Sequence, residues 1–510
     1  MKHLFNLVLA LLVVLTATKP ANANFEYTPN CIKAQQLIYK LKFKEASNYI
    51  EKEKNSNPNN GIVYLLDNYI DALTVFINEN KTEFDLLEKH KNERLNALKK
   101  NDINSPYYRF VVAEINFQWA IARLKFEEYM SAGFEIKNAY NSLAENIAAY
   151  PEFLPSYKTF GLLEALIGTV PEKYQWVAGT LGFKGSISAG MQHINKLITA
   201  TNDSAYIKLY QYEAGLIEAS MQLHLNKNEE LAWTHILVHT KDYETSLISN
   251  FFRANIAMRT GRNDEAIAIL GAKPSGDAYQ HFYYLEYLLG LAKLQRLDRD
   301  ADIHFKVYTT FFKGRNYIKA AYQKIAWYNL VNGNVPQYRR YMQMCEAFGN
   351  KDLDEDKQAQ KEAESKTIPN NSLLSARLLF DGGYYTRAEQ LLKNKSITDF
   401  SSDKEQVELI YRKARIAHAK GDVAQAIEQY NNTIILGKVL PYYFAANSSL
   451  QLGIIYEEKG DLEQAEFFYK KCKTFDANKE YQNSIEQKAK SGLKRIEEMR
   501  EKAAEKSPKK

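Results

Sequence analysis

The chain has 510 residues, of which 45% are hydrophobic and 25% charged, and a formal net charge of +6. That length exceeds what one compact core supports, leaving either several domains or an elongated repeat array, and the composition excludes a globally disordered chain. Basic residues are interleaved with acidic ones rather than gathered in a stripe, which argues against a nucleic-acid binder.

The first element is a targeting segment. Lys2 and His3 precede the apolar run Leu7 to Ala17, and Ala21-Asn22-Ala23 fits a small-x-small cleavage signal, so residues 1–23 read as a signal peptide cut before Asn24. The run is shorter than the ~20 residues a bilayer requires, and no later segment is long and apolar enough to span. No cysteine stands at the cut in a lipoprotein box. Cys31, Cys345 and Cys472, an odd number in an exported chain, are expected to be packing residues.

From here the chain reads as helical hairpins. Ala34, Leu37, Ala46 and Ile50 open the series, with Leu41 where a turn glycine is expected. Arg109 to Ile147 mixes three- and four-residue apolar spacing, as degenerate repeats with longer helices would. Clearer copies follow at Ala254, Ala257, Gly261, Ala266 and Leu270, and at Leu289, Ala292, Ala301 and Phe305, the latter with Arg296 in the turn. Residues 349–371 are charged and poor in large apolar side chains, so they are expected to form a charged linker or exposed helix and the best internal boundary.

Beyond it come Ala376, Leu379, Gly383, Ala388 and Leu392, then Ala414, Ala417, Gly421, Ala426 and Tyr430, then Leu452, Gly453, Tyr456, Gly460, Ala465 and Tyr469. Two antiparallel helices cross closely only where side chains are small, which is the role of Ala426 and Ala465 against Ala414 and Gly453. Gly421 and Gly460 end their first helices in a left-handed conformation. Each hairpin leaves one apolar side uncovered, so neighbours must stack. Ile485, Ala489, Leu493 and Ile496 mark a capping helix, and residues 501–510 a disordered basic tail.

These motifs resemble tetratricopeptide repeats, most strongly from Ser372 to Ile496. The expected fold is therefore all-α, a tetratricopeptide-like helical-hairpin solenoid, with a degenerate repeat region over 24–348 and a clear array with its cap over 372–500. The stretch Leu154 to Ile194, with Leu181, Gly182, Phe183 and Gly185 before a helix, resembles the inclusion-body-clearance family of tetratricopeptide proteins. That resemblance implies an all-helical repeat protein that binds other proteins without catalysis.

The search for chemistry returns ordinary packing. His235 and His239 lie four apart but have no glutamate between them, so no metal site is expected. No phosphate loop, nucleophile elbow or cysteine–histidine signature is present. The expectation is a non-enzymatic protein without cofactor, an exported scaffold or adaptor in the periplasm or secreted, binding a protein or peptide of unknown identity. The alternative is a SusD-like carbohydrate-binding component of nutrient uptake, whose usual lipid-anchored cysteine is missing here. With Ala414 and Gly453 as packing positions, the predicted groove set is Glu408, Tyr411, Arg415 and His418, then Asn447, Leu450, Ile454 and Glu457.

Overall fold

The computed structural model describes residues 25–169, 183, 185–475 and 481–506. The signal segment, its cleavage site, Leu181, Gly182 and the last four residues lie outside that set. Among the described residues the secondary structure is 24 α-helices with two short 3-10 turns and no strand. The helices pack in adjacent antiparallel pairs, which is the helical-hairpin solenoid expected from the repeat spacing.

The packing divides into two compact units, one running up to Ile256 together with Ala272–Phe282, the other comprising Ala257–Gly271 and the chain from Tyr283 onwards. This division falls elsewhere than the boundary expected at residues 349–371.

The first unit is built from α1 (Pro29–Tyr39) with α2 (Phe43–Ser56), α3 (Ile62–Asn78) with α4 (Lys81–Leu98), α5 (Pro106–Leu124) with α6 (Tyr129–Ala149), α7 (Ser156–Ile167) with α8 (Ile187–Ile198), α9 (Ala205–His224) with α10 (Glu229–His239), and α11 (Leu247–Arg259) as far as Ile256, the last three residues of α11 belonging to the second unit. Leu41 takes the place of the turn glycine by adopting a left-handed φ of 59° with its side chain fully buried, so core packing offsets the backbone strain.

A polar knot crosses the middle of this unit. Lys158 of α7 donates to Glu114 of α5 at 2.8 Å and to Glu213 of α9, while Thr159 donates to the other Glu114 oxygen and Tyr39 and Tyr69 donate to Glu213. The Lys158 side chain is 3% exposed and that of Glu114 1%. Burial works against a charged ammonium, but the two carboxylates outweigh it and push Lys158 to about 12. Five helices are thereby tied together by side chains far apart in sequence.

The second unit begins with α12 (Asn263–Gly271). It continues with α13 (Tyr284–Arg296) and α14 (Ala301–Phe311), α15 (Ile318–Val331) and α16 (Val335–Ala347), the unpaired α17 (Asp354–Ser365), α18 (Asn371–Asp381) and α19 (Tyr385–Leu392), α20 (Asp403–Ala419) and α21 (Val423–Gly437), α22 (Phe444–Glu458) and α23 (Leu462–Lys471), and the cap α24 (Gln482–Lys506).

The repeat chemistry is met here. Gly383, Gly421 and Gly460 have φ of 82°, 84° and 76°, while Ala414, Ala426 and Ala465 are fully buried. Asp422 and Asp461 follow two of these glycines and accept the backbone N–H of Gln425 and Gln464, each at 3.1 Å, so every glycine–aspartate pair ends one helix and caps the next. In the α13–α14 hairpin the left-handed residue is Leu297 rather than Arg296, which frees Arg296 to bind Asp264 and Asp298. The three cysteines are buried thiols with no disulfide. The cap continues as helix to Lys506, past the point where a disordered tail was expected to start.

The charged stretch 349–371 turns out to contain α17, and its inner face is buried rather than exposed. Asp356 is 0% exposed and accepts the N–H groups of Tyr317 at 2.7 Å and Ala320 at 3.0 Å, capping α15 from outside. Glu362 accepts from the Trp327 indole at 2.8 Å. Burial lifts the Asp356 carboxyl from 3.8 to about 6 despite those donors. A carboxyl that holds its proton more tightly when folded stabilises the fold below its unfolded pKa and loses that contribution as pH rises through its folded value. Urea midpoints of the parent should therefore fall between pH 3.8 and about 6 more steeply than those of Asp356→Asn. Parallel pH profiles would show that Asp356 is not the titrating group.

Candidate functional site

In the second unit the first helices of successive hairpins, α15, α18, α20 and α22, pack directly on one another, and α22 packs on α24, whereas the second helices do not pack closely together. The array therefore curves toward its first helices, and their common face is its inner surface.

Counting back seven residues from each turn glycine, at 333, 383, 421 and 460, reaches the small crossing residue: Ala326, Ala376, Ala414 and Gly453. The next residue in each helix forms a column, Trp327, Arg377, Arg415 and Ile454.

This column carries unusual electrostatics. The Arg377 guanidinium lies 4.9 Å from the Trp327 ring centre, and Lys324 Nζ lies 3.6 Å from the same ring. Arg415 sits 4.6 Å from the Phe380 ring and donates to the Tyr411 hydroxyl at 3.2 Å. Among the described residues no carboxylate lies within ion-pair distance of Arg415, and Asp381, which acts on it through space, is already 3.7 Å from Arg377. A ring face thus supports Arg415 where no carboxylate does, while Arg377 has both the Trp327 ring and Asp381. Burial followed by the Arg377 charge lowers Lys324 to about 7. His418 and Lys488 are lowered as well, by burial first and then by Arg415.

The eight predicted groove residues are distributed differently from expectation. Tyr411 and Leu450 are each 1% exposed and belong to the core between hairpins, so neither is part of an open surface. The physical reason is helical phase: three residues before the crossing position, a side chain points at the neighbouring hairpin. Tyr411 donates to Asn447 at 3.1 Å, fixing both. Glu408 is held by Arg412 at 2.6 Å, and Glu457 accepts from Arg495 at 2.6 and 2.8 Å and from Tyr469 at 2.5 Å. Arg415, His418 and Ile454 remain half-buried on the inner face. Lys324, Arg377 and Lys488 were not in the predicted set. The signal that points to Arg377 and Trp327 is their shared offset from the turn glycine, the same as that of Arg415.

Elsewhere the candidate chemistry resolves into packing. His235 pairs with Glu218 at 2.5 Å, and the His239 ring lies where a side chain on Gly215 would come within 2.3 Å of it. No cluster of three or more potential metal ligands occurs among the described residues. Phe183 packs edge-on against Tyr140 at 5.4 Å, and a Cβ on Gly185 would lie 2.3 Å from the Glu164 carbonyl oxygen, so both serve close helix packing.

An all-helical array of stacked hairpins with a polar, cation-rich inner face defines a helical-repeat interaction protein as the class. The chain matches the tetratricopeptide repeat family over residues 446–479, which span α22, α23 and the turn at Gly460. No curated protein matches the chain.

Proposed function

We propose that this protein is an exported, non-catalytic scaffold of the cell envelope that holds a segment of another protein on the inner face of α15, α18, α20 and α22. The observation that carries the reading is the half-buried Arg377, Arg415, Ile454 column, which runs across three consecutive hairpins at one helical offset, with Trp327 at the same offset of the preceding hairpin buried beneath Arg377. Side chains in such register follow one extended ligand, since first helices of neighbouring hairpins lie about 10 Å apart. Export is supported by the apolar run before Ala21-Asn22-Ala23, and no helix among the described residues is long and apolar enough to cross a membrane. The central likeness to the inclusion-body-clearance family is in keeping with a protein-binding role.

The test is site-specific photocrosslinking with p-benzoylphenylalanine. At position 418, on the inner face, it should yield adducts that map to one recurrent segment of a partner. At Glu428, an exposed position on α21, it should yield few. Equal yields from the two positions, or none from 418, would remove the groove as the binding surface.

A further inference from the structure

On this inner face Arg415 has no carboxylate within ion-pair distance among the described residues. Lys324, Arg377, Arg415 and Lys488 come from four helices, and Arg259 also lies within electrostatic reach of Lys488. Of the carboxylates nearby, Glu408 is engaged by Arg412, Glu457 by Arg495, Glu362 by Trp327 and Gln323, and Asp381 by Arg377 at 3.7 Å, while Glu355 acts on Lys324 through space. Like charges were not separated, although each adds to the cost of the next. Three groups record that crowding, since Lys324, Lys488 and His418 are each disfavoured as cations by burial and then by a neighbouring guanidinium. A surface of this kind is completed by an anion from outside.

From the ring-supported, carboxylate-free placement of Arg415 beside Arg377, we infer that the segment bound here is acidic: an extended stretch of a partner protein carrying Asp or Glu side chains about three residues apart. The spacing follows from geometry. Adjacent first helices are about 10 Å apart, and an extended chain advances ~3.4 Å per residue. Each guanidinium offers a planar fork that takes a carboxylate in two parallel hydrogen bonds, and Phe380 behind Arg415 and Trp327 behind Arg377 hold those forks in place. Lys488 keeps much of its side chain in water although its surroundings desolvate the ammonium in part, so it acts on approach more than on grip.

This inference rests on the groove reading above but fails separately from it. The probe is a fluorescein-labelled peptide of about twelve residues with Glu at every third position among Ser and Leu, compared with its Glu-to-Gln analogue by fluorescence anisotropy on the full chain. The Glu peptide should bind at least about tenfold more tightly, and its affinity should fall steeply with salt. Arg415→Glu should abolish the preference, and Lys488→Glu, on the surface of the cap, should reduce the association rate with the melting curve unchanged. Equal binding of the Gln analogue, or an unaltered preference in both variants, would overturn the acidic ligand. So would displacement of the Glu peptide by an equal concentration of inorganic phosphate, or tighter binding of a single-stranded oligonucleotide. If position 418 still captures a segment while the Gln analogue binds equally well, the groove stands and the acidic partner falls. If 418 captures nothing, the groove itself is wrong.

Discussion

Replacing Lys158 by methionine should destabilise the first unit by about 3–5 kcal/mol, because it leaves the buried Glu114 and the half-buried Glu213 without their counter-charge. Methionine retains most of the aliphatic length, so the loss reflects charge more than volume. The double variant Lys158→Met/Glu114→Gln should recover part of that loss, since it removes one of the stranded carboxylates. Thr159 can still donate to the amide oxygen that replaces the carboxylate. The measurement is the urea midpoint together with its slope, followed by circular dichroism. A single-variant loss below about 1 kcal/mol would mean that water reaches the knot and shields it.

The second large effect is expected at Tyr469, a side chain with no exposed surface between α22 and the cap. A Cβ on Gly453 would lie 2.5 Å from the Tyr469 ring, and one on Gly492 would lie 2.4 Å from its other edge. Two glycines on two helices are therefore shaped around one ring, and neither carries a side chain that could fill its space. Tyr469→Ala should cost about 3–5 kcal/mol through the cavity left behind. It should also make α24 the first segment cut in limited proteolysis. Tyr469→Phe keeps the ring and removes only the hydroxyl donation to Glu457, so it should cost about 1 kcal/mol. If alanine and phenylalanine variants melt together, the ring is not what docks the cap.

These two sites differ in how far they are legible from sequence. Gly453, Gly460, Ala465 and Tyr469 stand at repeat offsets, so their helix, turn and crossing roles follow from the 3.6-residue period and the need for small residues where backbones approach. Lys158, Glu114 and Glu213 have no such signature. Their separations are 44 and 55 residues, and nothing local tells one buried lysine from the many exposed ones. The same holds for Asp356, which belongs to a stretch rich in acids yet is the one that caps α15.

The groove shows the division within a single helix. By itself the sequence determined that the chain is an array of helical hairpins, where its turns fall and which small residues meet, because each depends on spacing within about one repeat. Only the tertiary structure decided which of the remaining positions face outward. Tyr411 and Arg415 are four residues apart and share one side of α20, yet the first is core and the second lines the inner face. Helical phase sets the direction of a side chain, but whether that direction ends in a neighbour or in water depends on how successive hairpins rotate as they stack. That rotation comes from contacts between repeats, among them Tyr411 with Phe444 at 5.3 Å and Tyr469 against Gly492, which no spacing inside one repeat specifies.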